Sequence, residues 1–287
     1  MAITFHELGR MGHLGNQLFQ YAALVCFSKA YNFDHVIPTS TEGRDIHLDK
    51  CFNITAPRTS NFSFLKQRFT EDGFPFNDTL QSVPDNTDLM GYFQSDLYFK
   101  HCQNGIRREL TFRREIQEEA RTKYQNKVSS SFDTGVYKQE KTVGIHVRRG
   151  DYLKFSDCHP PQSEEYYKAA IGIFGKKQKF LVFSDDIEWC KQSSVFKGDN
   201  FVFMEGNNQY VDLCLMTMCN HHIIANSSFS WWGAWLGASK DQTVVAPGHW
   251  FGPSLYKHDL RDLYPTGWIV IDERAIAKYP DDWNIKV

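Results

Sequence analysis

The sequence predicts an α/β protein with parallel sheets, organised as two domains that share a cleft. Short apolar runs alternate with segments of helical periodicity, most plainly after residue 142. Glycines and small hydroxyl residues follow several of these runs, where a strand hands over to a helix. The 287 residues suffice to build two such domains.

In chain order, residues 3–8 read as a strand feeding a turn that contains Gly9, Gly12 and Gly15. A helix over 16–31 follows, with Leu18, Tyr21, Ala22 and Val25 at helical spacing. The glycines fall three apart, so the dinucleotide-binding Gly-x-Gly-x-x-Gly pattern is not met. Residues 35–38 form the next expected strand. Residues 39–84, rich in Asn, Ser, Thr, Phe and charged residues, read as loops and short helices. Residues 89–95 return to the sheet, and helical segments run on to about residue 125. The polar, unpatterned stretch 129–141 is the candidate linker, dividing the chain into domains 1–135 and 136–287.

The second half alternates more regularly. Strands are expected at 143–147, 180–184, 201–204, 223–224 and 243–245, and helices at 163–172, 187–192, 210–218 and 228–237. Ser163 caps the first of these helices, with Glu164 and Glu165 in its first turn. In such a sheet, ligands bind beyond the carboxyl ends of the strands. The polar tail 278–287 is expected to be exposed or disordered.

Three motifs stand at strand ends. Asn226-Ser227-Ser228-Phe229-Ser230-Trp231-Trp232-Gly233-Ala234-Trp235-Leu236 follows an apolar strand and opens a helix, where free backbone N–H groups, a positive dipole end and serine hydroxyls suit a phosphate. The alternative is an N-capped core helix whose tryptophans are buried for packing. His146-Val147-Arg148-Arg149-Gly150-Asp151-Tyr152 places two arginines just past another strand. Alternation along an extended chain sends them to opposite faces, so one can meet a ligand while the other pairs with Asp151 or the scaffold. The planar guanidinium fork suits a diphosphate; a structural salt-bridge cluster is the alternative. Gly12-His13-Leu14-Gly15-Asn16-Gln17-Leu18-Phe19-Gln20-Tyr21-Ala22 directs side-chain amides from a glycine turn.

In content and order, these motifs resemble the signatures of the α-1,2-fucosyltransferases, glycosyltransferase family 11. Phe183-Ser184-Asp185-Asp186 and Asp212-Leu213-Cys214-Leu215-Met216 lie between the second and third signatures. The resemblance touches residues 9–29 and 143–247. It implies a GT-B-like fold, two Rossmann-like domains facing a cleft, with an acceptor-side domain at 1–135 and a nucleotide-sugar domain at 136–287. It further implies transfer of L-fucose from GDP-β-L-fucose, with inversion, to the 2-hydroxyl of a terminal β-galactoside. Arg148 is then expected at the leaving diphosphate, with Asn226, Ser227, Ser228, Phe229 and Ser230 forming the phosphate turn. In related enzymes, the positions of His146 and Asp212 are implicated in guanosine recognition, and Asn16 matches an asparagine that orients the reactants.

Asp185 can touch the ribose or fix the arginines, and a capping role for the Asp185-Asp186 pair is equally open. Their adjacency lacks the Asp-x-Asp spacing of metal-dependent transferases, so no metal and no cofactor are expected beyond the donor substrate. Glu7, His13 and Asp151 are the candidates for a general base. A fucosyltransferase of another linkage, α-1,6 or protein O-fucose, and a non-catalytic carbohydrate-binding protein are the competing readings.

Composition sets the remaining bounds. The net charge of −2 gives no basic face for nucleic acid. No apolar run approaches the ~20 residues that span a bilayer, and the N-terminus lacks a signal pattern, so a cytoplasmic protein, or one peripheral to the inner membrane, is expected. Seven scattered cysteines (26, 51, 102, 158, 190, 214 and 219) are expected to be reduced thiols.

Overall fold

A computed structural model describes residues 2–78, 83–131, 141–175 and 178–272. Its contacts divide the chain into two units, Met1–Gln117 with His258–Thr266, and Glu118–Lys257 with Gly267–Val287.

The first unit comprises β1 (Ala2–Thr4), α1 (Leu14–Tyr31), β2 (Asp34–Pro38), α2 (Leu48–Cys51), β3 (Arg58–Thr59), β4 (Gln67–Thr70), β5 (Thr87–Met90) and α3 (Gln103–Glu109). Its five strands are all parallel, in the order β3-β2-β1-β5-β4. Helix α1 is buried from Leu14 to Ser28 on nearly every side, as an apolar helix within a core must be. The first strand stops at Thr4, four residues short of the expected end, because 5–11 coil into turns in which Leu8 N–H donates to Phe5 O and Arg10 N–H to Glu7 O. β3 and β4 fall within the stretch read as loops. They are the two edge strands, short and largely exposed, so no apolar alternation marked them.

Helix α4 (Arg114–Ser131) crosses the division between the units, which falls at 117/118 rather than at 135/136. The linker expected at 129–141 begins inside this helix, and 132–140 lie outside the described residues, as does the 278–287 tail.

The second unit continues with β6 (Thr142–Val147), α5 (Glu164–Phe174), β7 (Lys179–Ser184), α6 (Ile187–Gln192), β8 (Phe201–Met204), α7 (Gln209–Thr217), β9 (His221–Ile223), α8 (Ser228–Leu236), β10 (Val244–Pro247) and β11 (Ile269–Ile271). Every strand but β11 was expected, each bound agreeing to within about two residues. The sheet is parallel, in the order β11-β10-β9-β6-β7-β8. The chain runs outward from β6 through β7 to β8, then returns to β9 on the other side of β6. This is the strand order of a Rossmann domain, with its switch point between β6 and β9.

Val143, Ile145 and Val147 of β6 pack with Phe180, Val182, Ile223, Val245 and Ile271 against Tyr166, Tyr167 and Ala170 of α5. The opposite face of β6 is built for close approach: a Cβ on Gly144 would stand 3.1 Å from Cys219 Sγ. Trp231, Trp232 and Trp235 are buried, their ring centroids 5.1–6.4 Å apart, and Trp268 lies 5.4 Å from Trp231. The packing alternative for the tryptophans is therefore the one realised.

One expectation about the thiols is overturned. Cys26 and Cys102 form a disulfide. It joins α1 to a short helical turn at Lys100–Cys102, where the buried face of α1 meets that turn. Their sequence separation of 76 concealed the pairing. The other five cysteines form no disulfide, and four of them are buried.

Candidate functional site

Parallel register brings the central groups of the second unit together. Val147 is paired with Ser184, so Arg148-Arg149 and Asp185-Asp186 leave the carboxyl ends of β6 and β7 in step. Arg148 Nη2 donates to Asp151 Oδ1 at 2.5 Å, and Nη1 lies 3.0 Å from Asp185 Oδ2. Arg149 takes separate partners: its backbone N–H donates to Asp185 Oδ1 at 2.9 Å, its Nε to Asp186 Oδ2 at 3.2 Å, and its guanidinium lies 3.9 Å over the Trp189 ring. Trp189 packs against the α5 side of the sheet. Alternation along β6 thus divides the arginines as expected: Arg149 is scaffold, while Arg148 continues the face that bears His146. Asp151, however, pairs with Arg148 rather than with its neighbour.

Asp186 also caps α6, accepting from Trp189 N–H at 3.3 Å. Asp185 fixes both arginines. Gly150 makes this possible, since a Cβ there would stand 2.5 Å from Asp185 Oδ2.

His146 is buried, with its ring centroid 5.5 Å from that of Phe229. Burial, and secondarily the Arg148 charge, push its pKa down to about 3, so the ring is neutral at pH 7. Its Nδ1 is buried without a hydrogen-bond partner among the described residues, a polar atom the protein itself leaves unsatisfied.

The Asn226–Ser230 turn lies across the switch point. Ser227 precedes α8 and Ser228 opens it, so the helix's first N–H groups and positive dipole end are at this edge. Two predicted members also hold the backbone around the turn. Ser230 is buried and its hydroxyl donates to Ser227 O at 3.2 Å. The Asn226 side chain is buried and donates from Nδ2 to Pro160 O and Trp250 O, each at 2.9 Å.

Asp212 lies in the first turn of α7 and accepts from Asn207 Nδ2 at 2.7 Å. Tyr152 stands in the arginine motif without an assigned role, and His159 and Trp189 are not marked by any motif, although they contact the arginines or each other. Tyr152's adjacency to the Arg-Arg-Gly-Asp run was the available signal.

In the first unit, Asn16 lies in the first turn of α1, where the switch point between β1 and β5 falls. Its Oδ1 accepts from Gln94 Nε2 at 2.9 Å. Gln17 and Gln20 are buried struts: Gln17 Nε2 donates to Asp45 O at 2.8 Å and Gln20 Nε2 to Gly91 O at 3.1 Å. Gly12 (φ 82°) tolerates no side chain, because a Cβ would stand 2.3 Å from Asn16 Nδ2. Glu7 and His13 are also on this turn, Glu7 paired with His6 at 3.2 Å. Among the described residues, the one group of three clustered metal-ligand types is Cys26, His101 and Cys102, two of which are bonded to each other.

Burial raises the Asp212 pKa from 3.8 to about 6, with Asn207 and Lys123 opposing. The folded protein therefore holds this proton more tightly than the unfolded chain does. Stability should fall as pH rises from about 4 to about 6 and level off above that. Urea unfolding of the parent and of Asp212→Asn at pH 4, 5, 6 and 7 checks this: the variant should lack that part of the slope.

The profile of Glycosyl transferase family 11 matches residues 3–272. An alpha-1,2-colitosyltransferase of Escherichia coli is 33% identical over 297 residues, covering 91% of this chain and 97% of that protein. A galactoside alpha-(1,2)-fucosyltransferase 1 of Leontocebus fuscicollis is 28% identical over 264 residues, covering 82% of this chain and 66% of that protein. The fold is similar to that of POFUT1 in complex with GDP, with a TM-score of 0.52 at 13% identity over 85% of this chain and 97% of that one. No helix among the described residues is long and apolar enough to cross a membrane. With its parallel α/β units of GT-B-like class, the chain belongs to glycosyl transferase family 11.

Proposed function

We propose that the protein transfers L-fucose from GDP-β-L-fucose to the 2-hydroxyl of a terminal β-galactoside, with inversion at the anomeric carbon. The observation that carries this reading is the grouping of the Arg148 fork, the neutral His146 and the start of α8 at the β6/β9 switch point. In this reading, negative charge developing on the leaving diphosphate is met by the Arg148 N–H donors and by the N–H groups and hydroxyls of Ser227 and Ser228. Arg148 already faces Asp151 and Asp185, so the incoming diphosphate shares a guanidinium whose place is set in advance.

His146 Nδ1 and the Asp212 carboxyl are assigned to the guanosine. A carboxylate can accept together from guanine N1–H and the 2-amino group, which adenine cannot match. Asn16 is assigned to orienting the reactants. Asp151 is engaged by Arg148, which disfavours it as a base. A cytoplasmic or membrane-peripheral location would suit a nucleotide-sugar donor.

The similarity to the colitosyltransferase supports a second reading, with a colitosyl donor. Colitose lacks the 3-hydroxyl of fucose, so a site that hydrogen-bonds this group would reject it strongly, whereas an apolar contact there would not. Purified protein offered GDP-fucose or GDP-colitose with a β-galactoside should release GDP faster with fucose, and linkage analysis should give α-1,2. Turnover with GDP-colitose alone transfers the proposal to that sugar, and turnover with neither refutes both readings.

Arg148→Lys keeps the charge but loses the fork, and should lower kcat/KM by about 100-fold or more with the fold intact. Near-parental turnover would remove Arg148 from this role. Arg149→Ala should instead lower unfolding free energy by about 1–2 kcal/mol, through loss of the Trp189 and Asp186 contacts.

We also propose that no divalent ion is required, because Asp185 and Asp186 are committed to the arginines and the Arg148 cation would take the place of an ion at the diphosphate. Activity should persist in EDTA. Abolition by EDTA with recovery on adding Mn²⁺ would overturn this.

A further inference from the structure

We propose that Tyr152 is a positioning residue that holds the Arg148 guanidinium in register with the start of α8. The inference rests on the donor reading above. Arg148 Cζ lies over the Tyr152 ring at 5.2 Å from its centroid. His159 is stacked on the same ring, with centroids 5.3 Å apart and planes at 24°, and Phe251 lies 5.5 Å from His159. The Tyr152 hydroxyl donates to Asn226 O at 3.1 Å, at the residue that leads into the serine turn.

Asn226 closes the arrangement. Its side-chain amide holds Pro160 and Trp250, the neighbours in sequence of His159 and Phe251. One residue thus anchors the tyrosine hydroxyl through its backbone and the rings behind the tyrosine through its side chain. The ring is thereby fixed to the β9–α8 junction and presents its face to Arg148. The two groups assigned to the diphosphate come from opposite sides of the switch point, and Tyr152 reaches from Arg148 to Asn226, the residue that leads into the serine turn.

An aromatic support suits this task better than a further carboxylate. Asp151 and Asp185 draw on the in-plane N–H donors, the same donors a diphosphate needs, and their charge repels it. A ring bears on the guanidinium face and leaves the donor edge open. Burial pushes the Tyr152 pKa up to about 12, so its hydroxyl keeps its proton and remains a donor to Asn226. His159 is half-buried, and its pKa is lowered by burial with Asp151 opposing, so the ring stacked on Tyr152 is uncharged at neutral pH.

GDP binding measured by calorimetry tests the coupling. The proteins compared are the parent, Tyr152→Phe, Tyr152→Leu, Arg148→Ala and the Tyr152→Leu/Arg148→Ala double variant, with thermal unfolding of each recorded. Tyr152→Leu should weaken GDP binding about tenfold, and Tyr152→Phe, which retains the ring, less than about threefold. In the Arg148→Ala background, Tyr152→Leu should cost less than about twofold, because its effect passes through the missing guanidinium. His159→Ala provides the same cycle should the leucine variant fail to fold, and its cost should likewise vanish without Arg148. An equal cost in both backgrounds, or no cost in either, overturns the positioning role while leaving the donor reading intact. Failure of the parent to bind GDP overturns the donor reading and this inference with it.

Discussion

The pairing of two adjacent arginines with two adjacent aspartates at the ends of neighbouring strands is the constraint on which the candidate site depends. Parallel register sets them opposite each other, Val147 against Ser184 being the last pair before the charges begin. Neither pair would be stable alone at a half-buried sheet edge, where like charges repel and desolvation is costly. Together they form a fixed lattice in which Asp185 bonds to both arginines and Asp186 also caps the next helix. Gly150 follows directly, since the carboxylate of Asp185 occupies the space a Cβ would need.

Around this lattice the other polar groups are held uncharged or engaged. His146 is neutral because it is buried beside a cation, and the Ser230 hydroxyl and Asn226 amide are engaged by backbone carbonyls. The oriented positive features at this edge are the Arg148 guanidinium, shared with Asp151 and Asp185, and the start of α8. In the proposed reading, a diphosphate at this edge would meet oriented dipoles rather than water, so little reorganisation would be needed as charge develops on it. The first unit follows a related plan: a glycine turn at its switch point, braced by Gln17 and Gln20, leaves the Asn16 amide bonded to Gln94 at the sheet edge.

Much of the second unit was legible because its strands are central and apolar, its helices are capped by side chains such as Ser163, and each transition carries a small or acidic residue. The first unit was less so. Its edge strands β3 and β4 carry polar side chains, and the backbone pairing that defines them leaves no pattern in the sequence. β11 differs: Ile269-Val270-Ile271 is apolar, but three residues are too few for the run to mark a strand. The tryptophans of α8 show another limit. Composition could not separate sugar-binding rings from core rings; their burial against one another, with Trp268 packed on Trp231, decided for the core.

The sequence alone determined the alternation of strand and helix, the family signatures, and the opposite faces taken by Arg148 and Arg149. Each of these depends on local periodicity or on residues adjacent in the chain. Which carboxylate meets which arginine, which ring lies against Arg148, and the union of Cys26 with Cys102 were decided only by the tertiary structure. These contacts join residues brought together by sheet register, side-chain direction and helix packing, and each of those is settled by burial of the whole core rather than by any short segment of the chain.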